Sequence, residues 1–273
     1  MYADNLIVRW MKPTEKAAGC RKYSYSLRWR EVGGIWKTKE PEKENSIISN
    51  LRADTQYEVQ VTVRNMAGES ASPVVRTKTN DGLPEPIPSW NINVITTEKS
   101  IIVQWPYPAV PNGDIISYKL SYQFWSSYDK RLSSAKHNSP PFKGSFEIDA
   151  HNRQVHTIDN LPAGTTYNLT LSAKTSAGYG RATELVGTTK IGRPRFKNAI
   201  EPEKFEDNDP IIIKLEPAEG NGAPVSHYNV VVENAGSRRR RRAQSSCFYS
   251  PLTYDQMKEQ GEDFYFAAQI DQR

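Results

Sequence analysis

At 273 residues the chain has room for two or three sandwich domains of about 100 residues each, and its 18 prolines, 14 tyrosines and six tryptophans suit short strands broken by many turns. Its 36 basic residues exceed its 31 acidic ones only by the five consecutive arginines Arg238 to Arg242, so the remainder is neutral. Basicity confined to one run argues against a phosphate-tracking face and hence against a nucleic-acid partner.

No stretch approaches about 18 apolar residues, the minimum for a membrane-spanning helix. The first residues, Met1 to Asn5, lack the basic and apolar regions of a signal peptide. Cys20 and Cys247 fall in different expected domains, so no disulfide between them is expected, and two cysteines do not fix the redox compartment.

In chain order, Leu6 to Trp10 reads as a strand with Val8 and Trp10 on one face, stopped at Lys12-Pro13. Tyr25, Leu27 and Trp29 alternate in a second strand, Gly33-Gly34 punctuates, and Trp36 opens a short third. The next signature is Leu51, then Tyr57, Val59 and Val61 in alternation, ending at Ala67-Gly68. Residues 74–77 read as the last strand of this domain. No strand is expected before Leu6, so the first domain, 1–80, is read as lacking its N-terminal edge strand.

Residues 80–88 form a linker rich in turn residues and stiffened by three prolines. The pattern then repeats over 84–190. Val103 and Trp105 restate Val8 and Trp10, and Tyr118-x-Leu120-x-Tyr122 restates Tyr25-x-Leu27-x-Trp29. Leu161, Tyr167, Leu169 and Leu171, closing at Ala177-Gly178, lie 110 residues beyond Leu51, Tyr57, Val59, Val61 and Ala67-Gly68. Such a period means tandem copies of one domain. The polar segment 126–143 is an insertion, read as a long surface loop.

A third copy begins beyond Gly192-Arg193-Pro194. Leu215 stands thirteen residues before Tyr228, the interval that separates Trp105 from Tyr118. No third Leu-x5-Tyr follows before Arg273, so 193–273 is read as a partial copy with several strands missing.

Leu51 with Tyr57, and Leu161 with Tyr167, have the spacing of the tyrosine corner. In that feature a core tyrosine at the start of a strand bonds back to upstream backbone. With Trp10 and Trp105 as core anchors, these residues resemble the fibronectin type III repeat. The resemblance implies an all-β fold: tandem immunoglobulin-like Greek-key β-sandwiches in a rod, the last one truncated.

The arginine run has small polar neighbours, Gly236-Ser237 before it and Ala243 to Ser246 after it, which keep a segment accessible to proteases. Arg239, Arg240, Arg241 and Arg242 followed by Ala243 have the form cut by a subtilisin-like proprotein convertase. A heparin or nucleic-acid patch and a merely solvated loop are the other readings. Asn168-Leu169-Thr170 is the only N-glycosylation sequon, and its Asn and Thr face away from the core. His137, His151, His156 and His227 have no metal-ligand spacing. No catalytic, metal or cofactor site is expected.

The strand 228–233, the basic run, Cys247, Pro251 and Phe264 to Ala268 together resemble the membrane-proximal region of receptor-type protein tyrosine phosphatases, in the LAR-like and MAM-bearing branches. The resemblance implies a non-catalytic extracellular fragment of a single-pass plasma-membrane protein. It would serve adhesion or ligand sensing and be cut after the arginines, the two parts staying associated. Its partners would be a protein ligand and the convertase, with heparan sulfate at the arginine run as a further candidate. The parent would be the phosphatase; within this chain neither cysteine follows a histidine, as the phosphatase His-Cys-x5-Arg signature requires. The alternative is an adhesion receptor or structural fibronectin array with no phosphatase.

Overall fold

The structure, a computed structural model, describes residues 3–12, 23–132, 140–198, 202–203, 212–213, 216–233, 253–260 and 264–271. By its contacts the chain divides into two compact units. The first holds nearly all of both complete copies; the second comprises the residues from Lys190 onward and two short segments, 127–135 and 162–165.

The first copy contributes β1 (Leu6–Arg9), β2 (Ser24–Glu31), β3 (Lys37–Lys39), β4 (Asn45–Ile48), β5 (Gln56–Asn65), β6 (Gly68–Ala71) and β7 (Val75–Lys78). One sheet runs β3-β2-β5-β6, with β7 also on β5, and the other is the antiparallel pair of β1 and β4. Alternation in the sequence becomes alternation in space. Leu6, Leu27, Ile48, Leu51, Tyr57 and Val59 are buried between the sheets, with Val8, Trp29 and Val61 packed against them.

The second copy follows with β8 (Asn93–Thr96), β9 (Ile101–Gln104), β10 (Ser117–Ser127), β11 (Lys143–Asp149), β12 (Val155–Ile158), β13 (Thr165–Thr175), β14 (Gly178–Tyr179) and β15 (Thr183–Thr188). Its large sheet runs β11-β10-β13-β14, with β15 also on β13, and its small sheet runs β12-β9-β8. The copies differ at one edge. In the second, β8 pairs with β9, and Val103 and Trp105 are buried. In the first, among the described residues, only β4 pairs with β1, and Val8 and Trp10 are half-buried. The anchoring aromatic pair recurs: Trp10 meets Tyr25 edge-on at 5.2 Å between ring centres, and Trp105 meets Tyr118 edge-on at 5.4 Å. Such pairs add about 0.5–1.5 kcal/mol beyond the area they bury.

The turn before each corner strand is also repeated. Asn50 and Asn160 both lie at positive φ, 59° and 60°. Four residues later Asp54 and Gly164 do so as well, at 49° and 60°. Asn, Asp and Gly are the residues that enter the left-handed region at least cost, which is why the turn is written with them.

The segment 80–88 is bonded along much of its length to the second copy. Gly82 N–H donates to the Asn112 carbonyl at 2.7 Å, and Glu85 N–H to the Val110 carbonyl at 3.0 Å. The Thr175 hydroxyl donates to the Gly82 carbonyl at 2.7 Å, and Ser176 to the Asp81 carboxylate at 2.6 Å. Ile87 is buried in the second core. Towards the first copy, Asp54 N–H donates to the Asn80 carbonyl at 3.0 Å. Proline stiffness is therefore only part of what fixes this linker.

The second unit carries β16 (Pro202–Glu203), β17 (Ile212–Ile213), β18 (His227–Glu233), α1 (Tyr254–Gln260) and β19 (Phe264–Asp271). β16 pairs with β17, and β18 pairs antiparallel with β19 from His227↔Asp271 to Glu233↔Phe264, with a bulge between Val230 and Val231. A reciprocal cap opens α1: Gln256 N–H donates to the Thr253 hydroxyl at 3.3 Å, and Thr253 N–H to the Gln256 side chain at 3.0 Å. This is the Thr-x-x-Gln capping box, which satisfies two otherwise orphaned donors.

Candidate functional site

The outward face of the first copy's large sheet carries a ladder of side chains. Arg28 and Arg30 point outward from β2, Glu58 and Gln60 from β5, and Arg76 from β7, in register Arg30↔Glu58 and Glu58↔Arg76. Trp36, just before β3, has two guanidinium groups over its ring, Arg28 at 4.5 Å and Arg30 at 4.4 Å from the ring centre. Arg30 grips one Glu58 oxygen at 2.7 Å and Arg76 the other at 3.0 Å, leaving Glu58 only 5% exposed. Hydrogen bonds from Arg30 and then Arg76 hold this carboxyl below its usual range. Arg28 donates to Gln60 at 2.7 Å, and Gln60 to the Ser72 carbonyl at 2.6 Å. Stacked, paired guanidinium groups lose little freedom on contact, and Trp and Arg are the residues that anchor protein interfaces.

The sequence reading missed this ladder. Its signal was available in the outward arginines at alternate positions of β2, but charges on an outward face read as solvated.

The equivalent face of the second copy is built differently. Asn168 occupies the position of Glu58 and is exposed, and its cross-strand partner is Val186, itself 64% exposed. At the far end of that face Lys119 and Lys174 lie 5.7 and 4.9 Å from the Tyr179 ring centre, and Lys174 bonds Glu147 at 3.3 Å. Bonds from Ser117, then Tyr179 and Lys174, lower the Glu147 carboxyl.

The tyrosine corners are one realised and one altered. Tyr57 is buried and its hydroxyl accepts the Arg52 N–H. Tyr167 is equally buried beside Leu161, but among the described residues its hydroxyl has no hydrogen-bond partner. The expectation of a bond back to backbone is thus corrected at Tyr167. The residue matching Arg52 is Pro162, which has no N–H to donate. Burial pushes the hydroxyls of both tyrosines up, and that of Tyr118 to about 12.

Arg239 to Arg242, Ala243, Cys20, Cys247 and His137 lie outside the described residues. His156 is half-buried against Phe146 at 4.3 Å between ring centres, and burial lowers its pKa. His151 bonds Asp149 at 2.8 Å and is exposed. Among the described residues no three His, Cys, Asp or Glu side chains cluster as a metal site, and no helix is long and apolar enough to cross a membrane.

A family model for the fibronectin type III domain matches residues 2–78 and 86–189. The chain belongs to the fibronectin type III family. The β-sandwich expected from the sequence is therefore the observed fold, present in tandem. Residues 190–273 match a separate family model, described as the receptor-type tyrosine-protein phosphatase U Fn3 domain. Fibronectin-type models thus account for nearly all of the 273 residues, and no phosphatase domain lies among them.

The receptor-type tyrosine-protein phosphatase U of Gallus gallus is 29% identical over 99% of this chain. Protein sidekick-2 of Mus musculus is 23% identical over 94% of it. The chain spans 19% of the first relative's length and 12% of the second's. A solved structure of chicken CNTN1 FN1-FN3 domains is 20% identical, covering 69% of this chain and 64% of that one, with a TM-score of 0.31.

Proposed function

We propose that this chain is a non-catalytic extracellular segment of a receptor-type protein tyrosine phosphatase, acting in adhesion or ligand sensing and cut after Arg242. The observation that carries this reading is the match of residues 190–273 to the receptor-type phosphatase U domain, continuous with likeness to one such receptor along 99% of the chain. The first-copy ladder around Trp36 is the surface best suited to a protein ligand, because its aromatic and guanidinium groups are already held in place.

The strand pairing supports cleavage without separation. The arginine run lies in the sequence between β18 and β19, which pair along their length. A cut after Arg242 would sever the covalent connection and leave that ladder of backbone hydrogen bonds intact. The parent would then run as two fragments in denaturing gels and as one particle in native ones.

Two measurements test the reading. Sequencing the transcript beyond Arg273 should reveal a span of about 20 apolar residues and a His-Cys-x5-Arg phosphatase signature. Further fibronectin repeats without either would favour an adhesion protein, a second reading to which the likeness to sidekick-2 lends support. N-terminal sequencing of the C-terminal fragment from secretory cells should begin at Ala243, and replacing all five arginines, Arg238 to Arg242, with alanine should abolish the cut. A parent that stays intact in convertase-competent cells would defeat the processing half of the proposal.

A further inference from the structure

We propose that Asn168 carries an N-linked oligosaccharide and that this glycan covers the outward face of the second copy's large sheet. The inference rests on the extracellular reading, because only passage through the secretory lumen brings the chain to the transferase. What the structure adds to the sequon is a comparison between two copies of one strand.

The β5 position Glu58 and the β13 position Asn168 are the same site in the repeat. At Glu58 the flanking strands supply Arg30 and Arg76, whose long side chains close over the carboxylate and leave it 5% exposed. A sugar could not be accommodated there. At Asn168 the roof is gone. Its partner on β15 is Val186, too short to reach across, and Gln123 from β10 borders the same shallow depression. Asn168 is exposed and Thr170, two residues on, is half-exposed on the same face, while Tyr167, Leu169 and Leu171 fill the core. Both groups that an oligosaccharyltransferase reads therefore stand on the outer surface of a rigid central strand.

A second observation says where the sugar lies. Val186 is 64% exposed on β15, the outer strand that pairs with β13, directly opposite Asn168. Ser89, Gln123, Thr170 and Glu184 border the depression around it. An N-acetylhexosamine has an apolar C–H face and a polar rim. Seated on Asn168, it sets that face against Val186 and its hydroxyl groups beside the surrounding polar side chains.

The transfer is balanced with one co-reactant, a lipid-linked pyrophosphoryl oligosaccharide supplied by the host membrane. A bond forms from Asn168 Nδ2 to C1 of the first sugar. The bond from C1 to the pyrophosphate oxygen breaks and its electron pair leaves with the lipid pyrophosphate. The amide nitrogen gives up one proton.

The test is to secrete the full chain, behind a secretion leader, from cultured eukaryotic cells and map it by peptide mass, with and without peptide N-glycosidase. The expected result is an oligosaccharide on the peptide containing Asn168, absent in Thr170→Ala and retained in Thr170→Ser. Hydroxyl-radical footprinting of Val186 should then rise when the sugar is removed enzymatically. An unmodified Asn168 in the secreted, folded chain overturns the proposal and leaves the extracellular reading standing. Equal labelling of Val186 with and without the sugar overturns the covering. A parent that never reaches the cell surface, tested by surface biotinylation, defeats the extracellular reading instead, and the two failures are told apart by which experiment gives them.

Discussion

The Tyr57 hydroxyl accepts a hydrogen bond from the Arg52 backbone N–H at 2.9 Å. The same corner in the second copy has Pro162 in place of Arg52, and Tyr167 keeps its burial without the bond. At the position that faces the hydroxyl, a change of residue type thus removes the backbone donor. Proline stiffens the turn before folding begins, and its cost is an unsatisfied hydroxyl in the core.

The two tyrosines should therefore respond oppositely to loss of the hydroxyl. Tyr57→Phe removes a made bond and should lower stability by about 1 kcal/mol. Tyr167→Phe removes a buried group with no partner among the described residues and should be neutral or stabilising by up to about 1 kcal/mol. Chemical denaturation of the two variants decides this, and equal destabilisation would refute it.

Glu58 should govern part of the acid response. Its folded-state pKa is lowered, chiefly by Arg30 and Arg76. Its contribution is therefore present above the unfolded carboxylate value and is lost as pH falls through the folded one. Glu58→Gln should lower stability at neutral pH and flatten the acid limb of a stability profile. A variant with the parent's steepness below about pH 4.3, the ordinary glutamate value, would count against the ladder as drawn.

His156 acts over a different window. Burial against Phe146 lowers its pKa, so the unfolded chain binds the proton more readily than the folded one. Its effect is absent well above about pH 6.5 and destabilises progressively as pH falls below that value. Replacing it as His156→Phe should remove the slope between neutrality and about pH 5. Thermal melts across that range provide the check; an unchanged slope would assign it to another group.

Gly82 should tolerate no side chain. A Cβ there would stand 2.9 Å from the Ala53 Cβ and 3.4 Å from the Asn112 Cβ. Gly82→Val should cost about 1–3 kcal/mol through overpacking and should speed proteolysis within residues 80–88. Parent-like resistance to protease would mean that the linker relaxes freely.

The sandwich was legible because its markers are side chains that must face inward. Val103 and Trp105, Tyr118 and Leu120, and Tyr167 and Leu169 are the residues whose alternation was read, and all are buried. The Asn and Asp or Gly of the corner turns are visible in the repeat, but their left-handed backbone is set by the fold around them. Outward groups were harder. The Trp36 ladder depends on which neighbours are paired across strands, and periodicity alone does not give that pairing. The linker was read as a spacer because its proline content is visible, whereas its bonds to Asn112 and Thr175 come from residues far along the chain. The helix α1 went unread, although Thr253 and Gln256 spelled out its cap.

The register of β18 and β19 sets how this part of the chain bears load. The chain enters β18 at His227 and leaves β19 at Asp271, and those two residues are partners in the ladder. Tension drawn along the polypeptide therefore arrives at one end of the pair and peels it open rung by rung, rather than shearing all its rungs together. With the backbone between the strands cut, peeling ends in release, so this joint would yield to a modest pull sustained over time.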